Sequence, residues 1–94
     1  MTQAELLAEH NAHADEAGRQ LADYLAANIP PPWSEDGIMT AVTTLLNGME
    51  QAYGAHPDLY PAAFIVLQQE IAFEAFERRL TAICMAAGEK GGSA

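Results

Sequence analysis

The chain reads as an all-α three-helix bundle with a long C-terminal helix. Three observations predict this. Apolar residues recur at three- and four-residue spacing over three segments; proline, glycine and capping residues separate those segments; and no stretch alternates apolar and polar residues as a half-buried strand would. At 94 residues there is room for one domain. The spacing assigns residues 1–88 to it and leaves 89–94 as a flexible tail.

The first helix is expected over residues 3–27. Thr2 and Glu5 have capping-box spacing, so the threonine hydroxyl can accept from the Glu5 amide. The apolar seam runs through Leu7, His10, Ala14, Gly18 and Leu21. Its middle is small, with Ala14, Ala17, Gly18 and Ala22, which lets another helix approach closely. The phenylalanines of the last helix are the expected neighbours. Gly18 costs about 1 kcal/mol of helix propensity against alanine, so a packing reason is expected for it.

Pro30, Pro31 and Pro32 cannot continue the helix and force Ile29 into an extended conformation, which predicts a stiff corner. Ser34 should cap the second helix, with Glu35 and Asp36 facing the positive end of its dipole. Trp33 and Ile38 have the spacing of a hydrophobic staple, so the one tryptophan reads as a corner plug. The stripe Ile38, Val42, Leu45, Leu46, Met49 and Tyr53 describes a one-sided amphipathic helix ending near Tyr53. Gly54 then stops it.

Asp58 is the expected cap of the third helix, with Pro61 in its first turn. The third helix should run from Pro61 to Ala87 and stop at Gly88. One seam passes through Val66, Phe73, Phe76, Leu80 and Ile83, and a second stripe through Phe64, Leu67, Ile71 and Ala75 lies beside it. At 1.5 Å per residue the helices would be about 37, 28 and 40 Å long. A short middle helix leaves the ends of the third uncovered, unless that helix bends near Gln68 and Gln69 and closes over the bundle. The expected core is therefore Leu7, Ala14, Gly18, Leu21, Trp33, Val42, Leu46, Phe73, Phe76 and Leu80. The expected contact surface for a partner is Phe64, Ile65, Leu67, Ile71 and Met85.

Thirteen acidic residues against four basic ones give a formal net charge of −9, spread along the whole chain. Direct binding of nucleic acid or of anionic membranes is disfavoured, because both need a basic surface. The N-terminus lacks the basic and apolar regions of a secretory signal, and no apolar run is long enough to span a bilayer. A cytoplasmic protein is expected. Cys84 is the only cysteine, which excludes an internal disulfide. It falls in the apolar pattern, as a reduced buried thiol does.

Little in the chain resembles catalytic machinery. Glu9, His10, His13 and Glu16 are the one group with metal-ligand spacing, but the facing helices offer no Glu-x-x-His partner. His10 falls on the seam and reads as a core-edge hydrogen-bonding residue. Ser34 is committed to a cap, Cys84 has no histidine near it in sequence, and no glycine-rich phosphate loop is present. Arg78 and Arg79, beside Glu74 and Glu77, read as surface ion pairs. No cofactor is expected, and no enzyme.

The expected function is that of a non-enzymatic interaction module. It would be an adaptor or inhibitor that docks on a larger protein, and a homodimer or small oligomer in its own right. Small acidic helical proteins of this kind are frequent among accessory proteins of phages and mobile elements that act against host defence, an expectation resting on class analogy alone. A second reading is an acidic nucleic-acid mimic, which requires Glu5, Glu9, Asp15, Glu16 and Asp23 to form a stripe. A third is an oligomer that binds or sequesters a small ligand between subunits.

Overall fold

The computed structural model describes residues 2–29 and 33–92, with side chains as far as Ala86. It holds three helices, α1 (Gln3–Asn28), α2 (Glu35–Gly54) and α3 (Ala62–Gly92), and no strand among the described residues. The proline corner expected at 30–32 lies outside the described residues, as does the end of the expected tail at 93–94.

Caps set most of the boundaries. The Glu5 amide donates to Thr2 Oγ1 at 3.1 Å, and the Thr2 hydroxyl donates in turn to the Glu5 carboxylate. Ile29 closes α1 in an extended conformation, with its amide bonded to the Leu25 carbonyl. Ser34 Oγ accepts from the Gly37 amide at 3.0 Å. The expectation for Asp58 fails. It lies within a turn in which the Leu59 and Tyr60 amides bond to the His56 carbonyl. The Pro61 carbonyl instead accepts the first bonds of α3, from Phe64 and Ile65. The four residues from Pro57 to Tyr60 are thus used to turn the chain. At its other end α3 runs through Gly88 to Gly92. A glycine costs a helix about 1 kcal/mol and does not forbid it, so a C′ stop was too strict a reading.

The topology is up-down-up. His10 lies beside Phe64, Gly18 beside Ala72 and Phe76, and Asp23 beside Arg79, so α1 and α3 run parallel. Tyr53 meets His10, and the Leu46 carbonyl accepts from Gln69 Nε2 at 3.0 Å, so α2 runs antiparallel to both. α3 is a continuous helix through Gln68 and Gln69 and does not break there.

The α1–α3 seam is the closest contact in the molecule. Ala14, Gly18 and Ala22 on α1 are buried, with Ala72 and Ala75 buried on α3. A Cβ at Gly18 would fall 2.9 Å from the Phe76 amide nitrogen and closer still to the Ala72 carbonyl oxygen. Small residues therefore face small residues, where the sequence reading set the phenylalanines against them. The bulkier core lies to one side of this seam, where Ala22, Leu25, Val42, Phe76 and Leu80 cluster. Leu21, Trp33, Ile38, Leu46 and Ile83 pack around it, half-buried.

Two expected core residues are exposed. Leu7 is 38% accessible, because the first turns of α1 precede the level at which α3 begins, near His10. Phe73 is 38% accessible, because the backbone contact at Gly18 turns Ala72 and Phe76 inward and leaves Phe73 on the α2 side.

Gln68 is fully buried at the level of Asn11, and its Nε2 donates to Asn11 Oδ1 at 2.7 Å. With the Gln69–Leu46 bond, this forms a polar layer joining all three helices. α2 is the least embedded of them, and Val42 is its one buried residue. The molecule measures 54 × 26 × 18 Å and has a radius of gyration of 15.5 Å. A compact chain of this length would have about 12 Å.

Candidate functional site

Four aromatic rings close one end of the bundle. His10 packs edge-on to Tyr53, Tyr60 and Phe64 at centroid distances of 5.9, 5.6 and 5.3 Å. Tyr60 stacks on Phe64, and the Tyr53 hydroxyl lies 3.4 Å from His10 Nδ1. Burial, aided by the neighbouring Tyr60 phenol, raises the Tyr53 pKa above its ordinary value. This cluster covers the start of α3, so Phe64 is half-buried, as are Ile65 and Ile71. Leu67 and Met85 are exposed.

The metal-ligand candidates diverge. His10 belongs to the aromatic cluster, and Glu16 bonds to Arg19 and Gln20. Glu9 and His13 are exposed. Among the described residues, no three of His, Cys, Asp and Glu converge as a metal site would require.

A groove between α2 and α3, floored by Val42, Phe76 and Leu80 of the core cluster, could engage another molecule. Its α2 wall is Ile38, Met39 and Val42, with Trp33 closing one end. Its α3 wall runs from Phe73 through Phe76, Glu77, Leu80 and Thr81 to Cys84 and Met85. The cavity measures about 650 Å³. Trp33 is held by its indole N–H, which donates to the Ile29 carbonyl at 2.7 Å, and it packs against the core cluster as well as lining the groove. Met39 and Met85 are 53% and 62% accessible, so the groove is an open trough. Cys84, read from sequence as buried, is exposed on its wall.

The groove arises because α2 covers α3 incompletely. It runs along α3 from Phe73 to Met85, and of the contact surface expected from sequence it includes Met85 but not Phe64, Ile65, Leu67 or Ile71. The spacing Phe73, Leu80, Cys84 beside Ile38, Met39, Val42 would have located it, had Phe73 not been assigned to the α1 side.

Charge is sorted between the two sides of α3. Arg19 pairs with Asp15 and Glu16, Arg78 lies 3.6 Å from Asp15, and Arg79 bonds to Asp23 at 2.8 Å. Arg19 and Arg79 thus sit on the α1–α3 face, whereas Arg78 also borders Glu77 and Thr81 of the groove wall. α2 contains no lysine or arginine. Glu35 precedes Ile38, Met39 and Val42 by three, four and seven residues, so it shares their face. By the same spacing Glu70 shares the face of Phe73 and Glu77.

The chain matches no protein-family model, no curated protein and no solved structure. No helix of the described residues is long and apolar enough to cross a membrane.

Proposed function

We propose that this chain is a non-enzymatic protein-interaction module, an adaptor or inhibitor that docks on a larger protein through the α2–α3 groove. The observation that carries this reading is the groove itself. Aromatic, aliphatic and sulfur-bearing side chains line it, and Met39, Phe73 and Met85 are held open to solvent. Contiguous exposed apolar surface of this kind marks a contact site. Aromatic and methionine side chains are the types enriched in interface cores.

Two other readings use parts of the same surface. A homodimer would cover the groove with a second copy, and a small apolar ligand would fit a volume within the usual range of about 300–1,000 Å³. The nucleic-acid mimic draws less support, since Asp15, Glu16 and Asp23 are already engaged by arginines.

The test compares the tagged chain with its Met39→Glu/Phe73→Glu variant in affinity purification from the native host. Circular dichroism checks the fold, and light scattering gives the mass. The expected result is one protein retained in stoichiometric amount by the parent and lost by the folded variant. Retention by both would move the docking surface elsewhere. A scattering mass of two chains with nothing else bound would favour the homodimer.

A further inference from the structure

We propose that the occupant of the α2–α3 groove is a single amphipathic helix with basic flanks, carried on the partner protein. This deepens the interaction-module reading and rests on it.

The form of the occupant follows from the walls. Both are α-helices, whose backbone donors and acceptors are bonded within each helix. The groove therefore has no sheet edge to pair with an extended peptide. A segment entering an apolar trough must satisfy its own backbone hydrogen bonds, and a helix does so. From Phe73 to Met85 the α3 wall spans about 18 Å at 1.5 Å per residue, three turns of a docked helix. Such a helix would present anchors at i, i+3 or i+4, and i+7. A small molecule is the poorer fit, because sites for such ligands enclose most of the ligand surface, whereas Met39 and Met85 leave this trough open.

The sign of the charge follows from the rim. Glu77 lines the groove, and Glu35 and Glu70 share the faces of its two walls. All three are exposed. Arg19 and Arg79 are held on the α1–α3 face by Asp15, Glu16 and Asp23, and Arg78, 3.6 Å from Asp15, is the one base among the described side chains beside the rim, next to Glu77 and Thr81. With three carboxylates against that one base, the trough is apolar along its floor and net acidic along its edges. A second copy of the chain, itself at −9, would bring more carboxylates to those edges. A helix with lysine or arginine on its flanks would complement them and be steered toward them.

Two probes already lie on the walls. Trp33 is the only tryptophan and Cys84 the only cysteine. The experiment titrates the full chain with two synthetic helical peptides of about 16 residues, monitored by Trp33 fluorescence and by the alkylation rate of Cys84. Both peptides carry leucine at i, i+3, i+7 and i+10; one has lysine flanks and the other glutamate flanks. The expected result is that the lysine peptide binds about tenfold or more tightly than the glutamate peptide, protects Cys84, and weakens as salt rises. The Glu35→Gln/Glu70→Gln/Glu77→Gln variant should lose most of that preference while still binding. Equal affinity for both peptides would overturn the basic-flank inference and leave the interaction module standing. No binding of either peptide, while the native partner is still retained, would overturn the helical occupant but not the module. A concentration-dependent dimer that protects Cys84 without peptide would overturn it in favour of a second copy.

Discussion

Gly18 is the residue on which the closest packing depends. Its hydrogen occupies space that a methyl group would contest with the Ala72 carbonyl and the Phe76 amide, both backbone atoms that cannot swing aside. Gly18→Ala should therefore destabilise the fold by about 1–3 kcal/mol, despite the helix propensity it gains. Gly48 is the control. Nothing lies within 4 Å of its added Cβ, so Gly48→Ala should gain up to about 1 kcal/mol. Urea titration of both variants decides the matter, and a neutral Gly18→Ala would refute the close seam. Tyr53 supplies a pH dependence. Its pKa is raised in the folded chain, chiefly by burial, above the ordinary value of 10.0. The folded state then holds the phenolic proton more tightly than the unfolded one. The associated stability is fully present below pH 10 and is lost as pH rises through the folded value. Thermal melts across the alkaline range should show this loss, and Tyr53→Phe should reduce it. An unchanged alkaline slope in the variant would assign the loss to other groups.

Among the elements, α1 and α3 share an extended small-residue seam, and α2 rests on them through Val42, half-buried neighbours and the Gln69 bond. Amides in the middle of α1 and α3 should exchange at or near the global unfolding free energy, and those of α2 at a lower one. Hydrogen exchange with mass spectrometry reads this directly, and equal protection in all three helices would contradict it. The three helices and the Thr2 and Ser34 caps were legible from residue spacing and turn chemistry. So was the small seam of α1. The partner of that seam was not, because spacing shows which residues share a face and not how far the facing helix is rotated. Phe73 and Phe76 lie on one stripe in sequence. The backbone contact at Gly18 settles which turns inward, and that contact exists only between two elements. The groove was missed for the same reason. Helix length showed that α2 is shorter than α3, but the opening lies beside Ile38, Met39 and Val42, within the span of α2 and not beyond its end. The aromatic cover over Phe64 closes the N-terminal end of α3, because Tyr60 reaches it from a turn with no periodic signal of its own, and Met85 alone of the expected surface lines the groove.

At the scale of the whole molecule, the elongated shape, the loosely held α2 and the sorted charge all bear on the same groove. Its two walls are the least and the most extensively packed parts of the fold, so an occupant bridging them would tie α2 to the rest. Binding to the folded state alone adds stability by mass action, about 2.7 kcal/mol at a hundredfold excess over Kd. Such a term raises the global unfolding free energy, and so protection rises wherever exchange proceeds by global unfolding. Local opening of α2 responds differently. It breaks the groove and releases the occupant, so α2 should gain about the same increment from its lower starting point, and openings at the free start of α1 should gain nothing. Leu6 and Leu7 lie on that start, away from the groove, and provide the internal reference. Exchange measured with the lysine-flanked peptide at saturation should show a marked slowing across the first half of α2, from Glu35 to Val42, with little change over residues 3–9. Slowing confined to α1 and the aromatic end, with α2 unaffected, would mean that the peptide sits elsewhere, even if Trp33 fluorescence had changed.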